Sequence, residues 1–237
     1  MITSPHNDKL KLIRKLSERR ARERESLFVS EGEDLLAAGL AAGARPQLVL
    51  CAPGSGSGGL EVASELLAQV SSLGSGTRVI AVWPQRWADA PAGPVCTYLH
   101  GIADPANVGA IIRSAHALAT GSVVLGPGCA DPFSPKAVRA SMGSVFGQPL
   151  VRAGVGETPQ PRIALVAHGG EALQRLPAEL TLCLGAERAG LPEDVLGQCE
   201  TTVTIPIRPG AAESLNVAAA AAIALQRIVS PARESTP

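Results

Sequence analysis

The chain has 237 residues with 21 Lys+Arg and 21 Asp+Glu, so its formal net charge is zero and argues neither for nor against a polyanionic partner. Hydrophobic residues make up 46% and aromatics 3%, which excludes a disordered chain and leaves Ala, Val, Leu and Ile to fill the core. No apolar run approaches the roughly 20 residues of a membrane span, and the N-terminus has no signal-peptide core, so a soluble cytoplasmic protein with no membrane partner is expected.

A basic helix is predicted over about 7–25, followed by a strand at 26–30, a helix at 31–42, a strand at 47–51, a helix at 59–73 and a strand at 77–83. Residues 1–25 carry eight Lys/Arg against four Asp/Glu: Lys9, Lys11, Arg14, Lys15, Arg19, Arg20, Arg22 and Arg24. They read either as a solvated face laced with i,i+4 pairs or as a phosphate-contacting arm. GSGSGG at 54–59 matches G-x-G-x-x-G, yet no acid occurs between Glu65 and Asp89 to hold a dinucleotide ribose, so a flexible loop is the better reading. The stretch 84–94 (PQRWADAPAGP) has three prolines and no hydrophobic period, and reads as a linker.

From Val95 strands and helices alternate. Strands are expected at 95–100, 122–126, 147–151, 162–168, 180–185 and 201–206, and helices at 107–119, 134–143, 170–176, 192–198 and 214–229. SVVLG and RIALVA are apolar on both faces, as a parallel sheet covered by helices requires, so the fold class is parallel α/β. Cys51, Cys96, Cys129, Cys183 and Cys199 are scattered with no C-x-x-C pair and no nearby His, which fits reduced thiols and no metal site.

Three segments do not look like packing alone. In HGIADPANVGAIIRSAHALA (100–119), Asn107 suits a helix start, Gly109 permits close approach, and Arg113 lies six residues on, about 9 Å along a helix at 1.5 Å per residue. In LCLGAERAGLP (182–192), Leu184 leads into Gly185 where a strand ends, the edge at which parallel sheets bind ligands, and Glu187 and Gly190 follow. In TIPIRPGAAESLNVAAAAAIALQRI (204–228), Pro206 and Pro209 stop the strand at Ile205, Ser214 or Asn216 caps the next helix, and an Ala-rich run invites close packing or self-association.

In this order, the three resemble the motifs of the SpoU/TrmH family of the SPOUT methyltransferase superfamily: N-x-G-x-x-x-R (Asn107, Gly109, Arg113), L-x-G-x-E-x-x-G (Gly185, Glu187, Gly190) and I-P…S-L-N-V (Ile205, Pro206, Ser214, Leu215, Asn216, Val217). The resemblance spans about 95–229. It implies a methyltransferase domain at 95–237 whose C-terminal part is tied in a trefoil knot, a homodimer formed through that domain, and an active site that draws on both subunits. It also implies transfer of a methyl group from S-adenosylmethionine to a ribose 2′-hydroxyl of RNA, without a metal. The donor residues it indicates are Leu184, Gly185, Glu187, Ile205, Ser214, Leu215 and Asn216, and the catalytic residues Arg113, Asn107, Glu187, Ser214 and Asn216. Residues 1–83 are similar to the ribosomal-protein-L30e-like substrate-binding domain of one branch, on the phrase FVSEGEDLLAAGL, which makes rRNA (23S) the favoured substrate over tRNA. VRASMGS (138–144) resembles a further family segment and adds Arg139 to Lys9, Lys11, Arg14, Arg19, Arg20, Arg22 and Arg113 as RNA contacts. His100 and His116 belong to no motif and read as packing or surface. A non-catalytic RNA-binding protein that kept the fold, and a base methyltransferase of the same superfamily, are the rivals.

Overall fold

A computed structural model describes all residues except 73–75, 209, 211 and 229–237. In chain order its elements are α1 (Asp8–Lys15), α2 (Arg19–Glu25), β1 (Leu27–Glu31), α3 (Glu33–Ala41), β2 (Leu48–Cys51), β3 (Leu60–Glu61), α4 (Ser64–Val70) and β4 (Val79–Pro84). There follow β5 (Val95–Leu99), α5 (Pro105–Leu118), β6 (Val123–Leu125), α6 (Pro135–Ser141), α7 (Ser144–Gly147), β7 (Leu150–Arg152) and β8 (Arg162–Leu165). The last are β9 (Glu171–Ala172), β10 (Leu180–Leu184), α8 (Glu193–Leu196), β11 (Thr201–Thr204) and α9 (Val217–Gln226). They form two compact units, one of Met1–Arg86 with Asp131–Gly147, the other of Trp87–Ala130 with Gln148–Pro237. No described helix is long and apolar enough to cross a membrane.

The first unit is a four-stranded sheet in the order β1-β4-β2-β3, antiparallel except for the β2–β3 pair. Leu10, Ile13, Leu16, Leu50, Leu67, Ile80 and Val82 make one core layer. On the other side Phe28, Trp83, Phe133 and Phe146 pack ring against ring at 4.7–5.6 Å. The Trp83 indole N–H donates to Ser30 Oγ at 2.8 Å, so this large ring is buried with its polar atom satisfied. The continuous helix expected over 7–25 is broken at Glu18, whose extended backbone (φ −89°, ψ 134°) restarts the chain as α2. That break turns Arg22 inward, where it is buried against Asp131, and so it drops out of the exposed basic face expected of it.

The second unit is a seven-stranded, wholly parallel sheet in the order β7-β6-β5-β10-β8-β11-β9. From β5 the chain builds outward through β6 and β7, then returns to the opposite side of β5. The strand order therefore reverses between β5 and β10, which is where open parallel sheets leave a crevice at their carboxyl edge. The helix expected at 170–176 is instead the short edge strand β9, paired with β11 at Glu171↔Val203. Gly169 takes φ +78°, and Gly170 lies so close to β11 that a Cβ there would meet the Val203 carbonyl carbon at 2.8 Å. This segment's backbone is thus drawn into the sheet rather than into a helix.

Tyr98 of β5 is the chain's single tyrosine, and it is 1% exposed with its hydroxyl 3.2 Å from His100 Nδ1. Burial, reinforced by the neighbouring Cys129, Cys183 and Asp194, pushes its pKa up to about 12. A raised folded-state value means the neutral phenol stabilises the fold below the unfolded pKa of about 10, and this contribution is lost as pH rises toward 12. Tyrosinate absorbance of the folded protein is expected to stay silent through pH 10, whereas the urea-unfolded chain titrates there. A folded-state midpoint near 10 would sink this account. On the same sheet face Cys183 Sγ donates to the Thr181 carbonyl at 3.9 Å and Cys199 Sγ to the Val195 carbonyl at 3.4 Å, and the neighbouring Cys199, together with burial, pushes the Cys183 thiol up.

Candidate active site

α5 begins two residues before the position expected. Asp104 caps it, accepting from Ala106 N at 2.9 Å, and Pro105 supplies the preset first turn. Asn107 is therefore not the cap, and its side chain, 8% exposed, is free to reach across the fold. Its amide nitrogen donates to Glu187 Oε1, and its Oδ1 accepts from Asn216 Nδ2 at 3.0 Å. Asn216 is the cap of α9, its own Oδ1 taking Ala218 N at 2.9 Å and Ala219 N at 3.3 Å. The polarity of this chain is forced. Because two backbone N–H groups occupy Asn216 Oδ1, its NH₂ must face Asn107 Oδ1, which leaves the Asn107 NH₂ for a carboxylate. Three groups distant in sequence are thereby locked in one orientation, and Glu187 is held as an acceptor.

Glu187 sits in a tight loop after β10. Ala186 N donates to Gly190 O at 3.0 Å and Gly190 N to Ala186 O at 2.9 Å, so Glu187, Arg188 and Ala189 form a three-residue hairpin closed by Gly190 at φ +68°. The hairpin folds back on the strand end. A Cβ on Gly185 would lie 2.2 Å from the Gly190 carbonyl carbon and 2.4 Å from Leu191 N, both backbone atoms that cannot swing aside. Gly185→Ala is expected to cost about 1–3 kcal/mol of unfolding free energy by overpacking, read from urea denaturation. An unchanged midpoint would show that the loop yields, contrary to the close packing described.

The ends of β8, β10 and β11 and the start of α9 enclose a cavity of about 320 Å³. Its wall includes Leu184, Gly185, Glu187, Ile205, Ser214 and Leu215, six of the seven donor residues indicated by the resemblance, together with Leu165, Val166 and Ala167 of the strand end that the sequence did not single out. Asn216, the seventh, is tied to the wall through Asn107 and Glu187. The lining is mostly backbone and aliphatic, suited to a flat aromatic or thioether-like ligand that is gripped by shape and by peptide groups. The Ala-rich α9 lies along α5 and buries Ala221, Ala224 and Leu225, so part of its small-residue face is used within the chain.

Arg113 is not brought into this group. It is exposed on α5, a third of a turn around the helix axis from Asn107, has no side-chain partner among the described residues, and does not line the cavity. In the first unit Lys9, Arg20 and Arg139 are exposed, with Arg139 Nη2 donating to Ser72 Oγ at 3.2 Å. Lys11, Lys15, Arg19 and Arg24 are engaged by Asp8, Glu25, Glu23 and Glu25 respectively, and Arg14 donates to the Pro5 carbonyl. Arg188, which lines the cavity beside Glu187, falls on an unspecified position of its motif, so nothing in the sequence marks it.

The profile of the SpoU rRNA Methylase family matches residues 94–226. The chain belongs to that family. A second profile, the MRM3-like substrate binding domain, matches residues 7–85. Among curated relatives, the 23S rRNA (guanosine(2553)-2′-O)-methyltransferase RlmP of Bacillus subtilis is 29% identical over 94% of this chain and 96% of its own length. An uncharacterized tRNA/rRNA methyltransferase of Mycobacterium tuberculosis is 38% identical over 53% of this chain, a match that spans about half (48%) of that protein. Of solved structures, the AdoMet-bound rRNA methyltransferase from Sinorhizobium meliloti is 27% identical with a TM-score of 0.80, covering 95% of each chain. The SpoU methyltransferase AviRb from Streptomyces viridochromogenes, in complex with AdoMet, is 25% identical with a TM-score of 0.81, covering 94% of this chain and 97% of its own.

Proposed function

We propose that this chain transfers a methyl group from S-adenosylmethionine to a ribose 2′-hydroxyl of RNA, with 23S rRNA as the substrate, working in the cytoplasm as a homodimer. The observation that carries the proposal is the convergence of Leu184, Gly185, Glu187, Ile205, Ser214 and Leu215 on one cavity at the carboxyl ends of β8, β10 and β11. Relatives that span the whole chain support it: the one from Bacillus subtilis is a 23S rRNA 2′-O-methyltransferase by name, and two of the solved structures carry AdoMet. In this reading residues 1–83 hold the RNA, 84–94 link, and 95–237 form the catalytic domain with its knotted donor site.

When bound, S-adenosylmethionine supplies a methyl group on a sulfonium, already a strong electrophile. What remains for the protein is alignment and handling of the hydroxyl proton. Holding two reactants in line contributes about 7–11 kcal/mol, against roughly 3–5 kcal/mol from a general base. Positioning is the larger share. The Glu187–Asn107–Asn216 chain is preorganised for it, because each amide is already committed to one orientation before substrate arrives.

Arg113 enters this scheme from a second copy of the chain. Its exposure and lack of a partner leave the guanidinium free, and Leu118 and Ile223, 36% and 39% exposed on the adjoining α5 and α9, provide an apolar surface for that copy. A guanidinium stays protonated, so its role is to grip the target phosphate and polarise the 2′-oxygen rather than to act as base.

The test is methyl transfer from radiolabelled S-adenosylmethionine to sized rRNA and tRNA fractions, with nuclease digestion of the product. Label recovered in 23S rRNA as a 2′-O-methyl nucleoside is the expected result. Label on a base refutes the ribose assignment. Donor binding without transfer to any RNA fraction refutes the enzymatic one.

A further inference from the structure

We infer that Arg188 is the counter-charge for the amino-acid carboxylate of the methyl donor. The inference rests on the reading of the cavity as a donor site and adds to it a residue that no motif position marks.

Glu187 and Arg188 are the two charged residues of the described cavity wall, which is otherwise apolar side chains, Ser214 and backbone. They are sequence neighbours of opposite sign, yet they do not pair. The Glu187 carboxylate is taken by the Asn107 amide, on the α5 side, and the Arg188 guanidinium makes no hydrogen bond or ion pair among the described residues. A cation on a cavity wall with its natural partner engaged elsewhere is poised for an anion. The backbone beneath it is already ordered by the reciprocal Ala186–Gly190 hydrogen bonds, so gripping an anion costs side-chain freedom alone.

The donor's chemistry supplies that anion. S-adenosylmethionine has a flat adenosine, a sulfonium, and an amino-acid end with an ammonium and a carboxylate. The aliphatic wall suits the adenosine, and the fixed Glu187 lies on the side that favours positive charge. That leaves the carboxylate, whose planar oxygens match the fork of a guanidinium. Arg208, on the 205–217 loop, does not line the cavity, so it offers no equivalent contact.

The test is titration calorimetry on the full chain with two ligands. S-adenosylhomocysteine keeps the carboxylate and does not react, and 5′-methylthioadenosine keeps the adenosine and thioether but lacks the whole amino-acid end. Arg188→Gln is expected to weaken S-adenosylhomocysteine about tenfold while leaving methylthioadenosine within about twofold of wild type, with Arg188→Lys intermediate. Equal losses for both ligands overturn the assignment, because the loop rather than the carboxylate contact would be at fault. Unchanged binding of both, with a raised KM for RNA, also overturns it and hands the guanidinium to an RNA phosphate. If the wild type binds neither ligand, the donor-site reading itself fails and takes this inference with it.

Discussion

Arg113→Ala is expected to lower kcat about 10²–10³-fold while S-adenosylhomocysteine binding stays at the wild-type level, the loss typical of removing one preorganised transition-state contact. The separation follows from geometry: Arg113 is exposed on α5 and absent from the wall of its own cavity. Arg113→Lys keeps the charge but not the fork, and should recover little. Near-normal turnover in the alanine variant ends the assignment. A mixing experiment then locates the residue. If Arg113 serves the cavity of a partner, combining Arg113→Ala with Glu187→Gln leaves each heterodimer one intact site, and random exchange restores about a quarter of wild-type activity. If it serves its own cavity, every site in the mixture carries a lesion and nothing is restored.

Arg22→Met is expected to remove about 3–5 kcal/mol of unfolding free energy, the cost of leaving a buried charge unpaired. Arg22 and Asp131 are 3% and 6% exposed. The guanidinium holds Asp131 Oδ2 with Nε at 2.8 Å and Nη2 at 2.7 Å, while Nη1 donates to the Leu16 and Ser17 carbonyls at 2.9 and 2.7 Å. Asp131 Oδ1 in turn accepts from Phe133 N at 2.9 Å. One side chain therefore satisfies the carbonyls exposed where the N-terminal helix breaks and anchors the segment that leads into α6. The double variant Arg22→Met with Asp131→Asn should recover part of the loss, since a neutral amide is less costly to bury than a lone carboxylate. Urea denaturation of the three variants measures it. A loss under about 1 kcal/mol for Arg22→Met would place the residue among exposed ion pairs in energy and contradict its burial.

These two arginines show where sequence reading succeeds and stops. Both sit in helices that the hydrophobic pattern makes legible, and both belong to a basic or motif-bearing stretch. Composition cannot tell that Arg22 points inward, because that depends on the extended backbone at Glu18 and on a carboxylate 109 residues away. The motif segments around the cavity were legible for a different reason. A glycine at a strand end, a proline stop and an Asn cap are local chemistry, and Gly185 on the cavity wall and Pro206 and Asn216 beside it announce themselves by it. Asp104 and not Asn107 is the cap, since both residue types cap well and only the fold shows which one is needed elsewhere. The helix expected at 170–176 failed because the sheet edge at β11 offered Glu171 and Ala172 a strand partner.

By itself, the sequence determined the alternation of apolar strands with helices, hence the parallel α/β class, because this depends on periodicity within a few positions; the residues indicated for the methyl donor came from the motif resemblance, and six of those seven line one cavity. Only the tertiary structure decided which of those side chains meet. The Asn216–Asn107–Glu187 chain joins residues 109 and 80 positions apart. Its polarity follows from two backbone N–H groups at the start of α9, and its effect is to hold Glu187 as an acceptor for Asn107. Hydrogen bonds are directional and saturable, so partners cannot be assigned until the backbone has brought donors and acceptors within about 3 Å of one another.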